Sequence, residues 1–228
     1  MSLYLLINIL TILIPLMLSF ENKLKFYKNI SHVIFSIIIV GIPLLVWDAA
    51  ATSRGDWSFN PSYNIGLKIA GLPLEEIIFF VTVPYAVIFL YDTYLYYISK
   101  SKREINYAVF ILPCMLSIAA SFIFRDKYYT FTVFLFLSIL FLLLSITKPI
   151  FLKQRYIGLF LLFTFIPFGI ENYFLTSLPV VLYKENVIWG IRIIAIPLED
   201  FFYSFLLITS YIYFYELSKE KWKRKIVL

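Results

Sequence analysis

Residues 73–80 read Pro-Leu-Glu-Glu-Ile-Ile-Phe-Phe, and residues 197–204 repeat the pattern as Pro-Leu-Glu-Asp-Phe-Phe-Tyr-Ser. Each stretch sets two adjacent acids at the head of a long apolar run. An ionised carboxylate in hydrocarbon costs several kcal/mol, so such acids are rare in membrane spans and mark function by default. Pro at the first helical position with carboxylates in the first turn is also an ordinary helix start. The doubling, inside apolar surroundings, favours the functional reading.

Working outward, the 228 residues are 61% apolar, 20% aromatic and only 15% charged. Soluble proteins run at about 45–50% apolar and about 25% charged. Apolar runs of roughly 18 residues or more, long enough to cross a bilayer as helices, recur along the chain. They predict spans at about 3–20, 30–50, 73–97, 107–124, 128–147, 156–176 and 196–215. The fold class is therefore an all-α polytopic membrane protein with seven transmembrane helices. Residues 3–20 read as a retained first span, because no cationic leader or small-residue cleavage site accompanies them. The net charge of +6 reflects Lys and Arg gathered in loops and does not point to nucleic acid. Cys114, the one cysteine, forms no internal disulfide, and His32 beside a basic loop reads as an interfacial residue.

Basic residues set the expected orientation. Lys23, Lys25 and Lys28, then Lys100, Lys102 and Arg103, then Lys148, Lys153 and Arg155 fall on one side with Lys219, Lys221, Lys223, Arg224 and Lys225. Arg54, Lys68, Arg125, Lys127, Lys184 and Arg192 fall on the other. The N-terminus is expected outside and the C-terminus in the cytoplasm, which an odd number of spans requires.

A shift of 124 positions superposes residues 66–76, Gly-Leu-Lys-Ile-Ala-Gly-Leu-Pro-Leu-Glu-Glu, on residues 190–200, Gly-Ile-Arg-Ile-Ile-Ala-Ile-Pro-Leu-Glu-Asp. The same ungapped shift pairs Pro43 with Pro167 and Asp48 with Asn172. Spans one to three thus repeat as spans five to seven: residues 1–100 form the first three-helix repeat, 101–124 a linker helix (span 4), and 125–228 the second repeat with a basic tail. Repeats four spans apart enter the membrane in the same direction, and a site is expected at the interface of such parallel repeats. Glu75, Glu76, Glu199 and Asp200 then converge from opposite halves.

Further polar and aromatic groups lie at the same level. Asp48 and Asn172 close spans two and six, with Glu171 beside the latter. Trp47, Trp57, Phe59 and Tyr63 surround one set, and Tyr173, Phe174, Tyr183 and Trp189 the other. For most of these aromatics the simpler reading is the interfacial belt. Lys68 and Arg192 stand seven residues before Glu75 and Glu199, about two turns away on a continuous helix, where they pair with those acids or with lipid phosphate. Asp92 and Glu216, near the opposite span ends, are expected to be solvated.

Carboxyl groups held close in low dielectric cannot all ionise, so one keeps its proton while its neighbour serves as a base. Nearby aromatic faces stabilise a developing carbocation. Such a pocket can protonate an alkene in a long hydrocarbon. No Gly-x-Gly-x-x-Gly, Cys pair or His cluster accompanies it, so no cofactor or metal is expected. The alternative is a proton-coupled transporter or channel built on the same carboxylates. A relay would need polar residues through spans three and seven, where only Thr82, Tyr85, Tyr203 and Ser204 appear. A retinal-binding seven-span protein would need a lysine within the seventh span, and residues 196–215 contain none.

The two Pro-Leu-Glu-Glu/Asp starts, the Trp47-Asp48 pair, the Arg54-Gly55-x-Trp57-x-Phe59-Asn60-Pro61 stretch and the tandem repeat together resemble the integral-membrane lycopene cyclases. In that family the two domains occur as separate subunits or fused in one chain. The resemblance implies a non-redox isomerisation, without cofactor, of the acyclic ψ end of lycopene to a cyclohexene ring, expected to be β. It implies Glu75, Glu76, Glu199 and Asp200 as acid/base residues. Asp48, Trp47, Trp57, Phe79, Phe80, Glu171, Asn172, Phe202 and Tyr203 are expected around the substrate. The implied partners are a lipophilic carotenoid, membrane lipid and other enzymes of the carotenoid pathway, and the implied location is a bacterial cytoplasmic membrane. The second repeat departs from the first: Glu171-Asn172 replaces Trp47-Asp48, and nothing there resembles Arg54-Gly55-x-Trp57.

Overall fold

A computed structural model describes residues 1–99 and 101–226. Lys100 and the side chains of Lys223, Arg224 and Lys225, counted above, lie outside the described residues. Seven long helical stretches follow one another: α1 (Leu3–Leu18), α2 (Phe26–Arg54), α3 (Leu74–Tyr97), α4 (Tyr107–Ile123), α5 (Tyr128–Thr147), α6 (Ile157–Ser177) and α7 (Leu198–Ile226). Of these, α2, α3, α5 and α6 are long and apolar enough to cross a membrane by length and composition. The helices α1 and α4 are apolar but shorter.

Proline shapes both members of one related pair. In α2, Pro43 cannot donate its backbone bond and its ring crowds the carbonyl four residues back. The helix absorbs this in a π turn over Ile37–Gly41. In α6, Pro167 follows a break at Thr164, whose buried hydroxyl bonds the Leu161 carbonyl at 2.6 Å. Gly41 allows a close approach, since a Cβ there would stand 3.3 Å from the Tyr211 hydroxyl.

The all-α expectation needs correction at one end of the bundle, where three pairs of short strands form. Strands β2 (Lys68–Ile69) and β3 (Leu72–Pro73) make a hairpin that leads into α3, and β5 (Arg192–Ile193) and β6 (Ile196–Pro197) make another that leads into α7. The first turns through Ala70 and Gly71, both at positive φ, which suits the right-handed twist of a two-residue hairpin. Lys68 and Arg192 therefore do not continue a helix toward the acids. Arg192 pairs with Glu185 at 2.8 Å and Lys68 is exposed. The third pair joins β1 (Trp57–Phe59) to β4 (Val181–Tyr183) with Ser58 opposite Leu182. Those two residues are 124 apart, so equivalent strands of the two halves meet antiparallel, and neither was visible as a strand in the sequence.

At the other end Asp92 is buried rather than solvated. It accepts from the Tyr215 hydroxyl at 2.5 Å and from Asn29 Nδ2 at 2.9 Å, with Lys219 at 3.6 Å. Glu216 is half-buried and pairs with Lys219 at 3.2 Å. His32 bonds Ser218 at 2.8 Å. These contacts tie the start of α2 to the ends of α3 and α7, above a core that includes Val33, Ile88, Tyr91 and Ile212.

Candidate functional site

Each hairpin delivers the chain to a helix start in the same way. Leu74 N–H bonds the Leu67 carbonyl and Leu198 N–H bonds the Ile191 carbonyl, both at 2.9 Å. Proline then fixes the entry, and the two acids occupy the first turn. All four are buried.

The first acid of each pair faces its own loop. Glu75 Oε1 accepts from Ser2 Oγ at 2.6 Å and from Ile65 N–H at 2.7 Å. Glu199 Oε1 accepts from Thr130 Oγ1 and from Trp189 N–H. The second acid of each pair faces a common cavity that also holds Asp48 and Glu171. Tyr4 donates to Glu76. Asp200 receives the Tyr129 hydroxyl at 2.5 Å and the Tyr183 hydroxyl at 3.1 Å. Trp57 Nε1 donates to Asp48 Oδ1 at 2.8 Å, leaving Asp48 Oδ2 buried with no donor among the described residues. Asp48 and Glu76 line the same cavity. Thr11 on α1 donates to Glu171 on α6 at 2.9 Å. Burial first, then the neighbouring Asp200 carboxyl, push the Tyr183 phenol on β4 well above the usual tyrosine range, so it stays a neutral donor.

Of the supporting residues expected from the sequence, Trp47, Asp48, Trp57, Phe79, Phe80 and Tyr203 line the cavity with Glu171 and Asn172. Phe202 does not; it packs on Phe134 with ring centres 5.1 Å apart. Trp47 forms an aromatic wall with Trp57 at 5.3 Å, Tyr203 at 5.6 Å and Tyr129 at 6.0 Å. Below the acids the lining turns apolar, through Val83, Val87, Leu90, Leu207 and Ile208.

Sequence reasoning missed Tyr4, Tyr129 and Thr11, and left Tyr183 in the aromatic belt. Tyr4 and Tyr129 begin α1 and α5, the helices that pack beside α3 and α7, and each points at the second acid of the nearer pair. A tyrosine at the head of each such helix was the available signal.

Acids, phenols and an aromatic wall thus meet at the head of an apolar trough. The sequence model of the lycopene cyclase family matches residues 1–94 and 126–218. The chain belongs to the lycopene cyclase family. No curated protein and no solved structure matches it. This lycopene cyclase-family chain is a membrane protein and a carotenoid cyclase of the isomerase or lyase type, acting on a lipophilic carotenoid.

Proposed function

We propose that this protein closes the acyclic ψ end of lycopene into a β ring by acid/base chemistry alone. The observation that carries the reading is the shared cavity in which Glu76 from one motif and Asp200 from the other stand with Asp48 beside an aromatic wall. In this reading Glu76, with Asp48 in the same cavity, carries the proton and donates it to C2 of the ψ end. The C5–C6 double bond then attacks the C1 cation, forming the ring, and the charge moves to C5. Loss of the C6 proton leaves the cyclohexene, and atoms and charge balance without a redox partner. Asp200 is the base. Tyr129 and Tyr183 donate to it and hold the carboxyl in place at the cavity wall. Trp47 and Trp57 offer π faces to the cation.

Glu75 and Glu199 anchor their loops in this reading, since each accepts from a backbone N–H ten residues upstream. The membrane arrangement that suits the site has seven spans, with two parallel three-helix repeats, residues 1–100 and 125–228, about a linker at 101–124. Its N-terminus is outside and its C-terminus cytoplasmic, in a bacterial inner membrane. Proton transport finds no support in the lower cavity, where Val83, Val87 and Leu90 offer nothing to a relay. The test is expression in lycopene-accumulating bacteria, followed by pigment chromatography. Ring-bearing carotenes are the expected product; unchanged lycopene with the protein present in the membrane would refute the reading.

A further inference from the structure

Away from the acids, the loop that follows α3 and the loop that follows α5 are tied together by their backbones. Arg103 N–H bonds the Lys153 carbonyl at 2.8 Å and Arg155 N–H bonds the Ser101 carbonyl at 3.0 Å. Lys102 and Gln154 are bridged antiparallel between them. The Ser99 hydroxyl donates to Gln154 Oε1 at 3.0 Å, and the Tyr94 hydroxyl of α3 donates to the Arg155 carbonyl. This clasp gathers Lys102, Arg103 and Arg155 around one pocket, beside Ser101, Tyr156 and Leu159.

Loop cations are ordinary at one face of a membrane protein. These three differ from Lys153, which pairs with Glu104 at 3.1 Å. None of Lys102, Arg103 and Arg155 forms an ion pair among the described residues. Tyr156 is held at φ 66°, a left-handed conformation that is rare for a bulky residue, and the Arg155 guanidinium lies over its ring at 4.9 Å. Like charges gathered at one pocket repel, and an anion seated among them offsets that repulsion. Two guanidinium forks and an ammonium match the oxygens of a phosphate.

The surface that leads away from the pocket is apolar. Leu159, Leu162, Phe163, Ile166 and Ile170 of α6 are all exposed, at the spacing of a single helix face. From Leu159 to Ile170 that face runs about 16 Å, close to one leaflet of a hydrocarbon core roughly 30 Å thick. The opposite face of α6 gives Thr164, Pro167, Phe168 and Glu171 to the acid cavity. The two pockets share no residue.

We propose that Lys102, Arg103 and Arg155 seat the phosphate of an anionic phospholipid, with an acyl chain of that lipid along the exposed face of α6. The charges select the head, and the apolar lane selects a lipid over free phosphate. A zwitterionic lipid brings its own cation toward the same three residues and binds more weakly.

The test is native mass spectrometry of the full-length protein in detergent, with phosphatidylglycerol and phosphatidylcholine of matched chains supplied in equal amounts. Phosphatidylglycerol is expected to dominate the bound lipid. A basic residue near an anionic lipid is worth about fivefold in affinity, so Lys102→Gln, Arg103→Gln and Arg155→Gln together should weaken phosphatidylglycerol by about 10²-fold, and Arg155→Gln alone by about fivefold. Lys23→Gln, Lys25→Gln and Lys28→Gln together remove as many exposed charges elsewhere and are expected to leave the preference intact. Equal binding of the two lipids by the wild type would overturn the proposal without recourse to any variant. Equal losses in the two triple variants would reduce the effect to overall surface charge and overturn it as well. Inorganic phosphate added at millimolar concentration is expected not to displace the lipid; displacement would assign the pocket to a soluble phosphate instead.

Discussion

In the first half, Glu75 accepts from the Ile65 amide; in the second, Glu199 accepts from the Trp189 amide, and those amides stand 124 residues apart. The neighbouring acids diverge. Glu76 meets Tyr4 and shares the cavity with Asp48, whereas Asp200 meets Tyr129 and Tyr183. Asn172, which replaces Asp48 in the second half, brings no carboxyl to the cavity. Duplication has kept the loop anchors and varied the groups that face the cavity. Unequal halves suit a reaction that gives a proton at one carbon and takes one from another, because donor and acceptor need different surroundings.

The comparison is broken most directly by Glu76→Gln and Asp200→Asn. Each is expected to lower the initial rate of ring formation by about 10²–10⁴-fold, the usual worth of a general acid or base, at equal protein content in the membrane. Wild-type rates from either would end the division of labour.

Asp48→Asn makes the first half match the second at that position. Losing a hydrogen bond to a charged group costs about 1.5–3 kcal/mol, so rates should fall by about 10–150-fold. Tyr183→Phe removes one of two donors to Asp200 and should cost about tenfold. Its readout is kcat at saturating carotene, with Tyr129→Phe as the companion variant.

The smallest catalytic effects are expected from Glu75→Gln and Glu199→Gln. Each should leave the rate within about threefold while lowering stability by about 1–3 kcal/mol, read as matched drops in thermal unfolding midpoint in detergent. A large rate loss in one of them at an unchanged midpoint would move that acid from anchoring to chemistry.

Much of the frame was legible because it depends on local pattern. Apolar run length fixed where helices form, and the helices at Leu74–Tyr97 and Tyr128–Thr147 fall where hydropathy placed them. The short strands were not legible: two- and three-residue pairings such as Ser58 with Leu182 carry no period for a sequence to display. Asp92 was misread because its partners Asn29, Tyr215 and Lys219 come from distant segments. Among the aromatics, Tyr183 and Tyr173 look alike in sequence, yet the first donates to Asp200 and the second is exposed.

The sequence alone determined that this is a helical membrane protein, that its motif is doubled at an offset of 124, and that acids stand at two helix starts. Only the tertiary structure decided which acid of each pair faces the cavity. Neighbouring residues on an α-helix point about 100° apart, so a single wall receives one of the two. The rotation of α3 and α7 in the packed bundle turned Glu76 and Asp200 inward and left Glu75 and Glu199 to hold the loops.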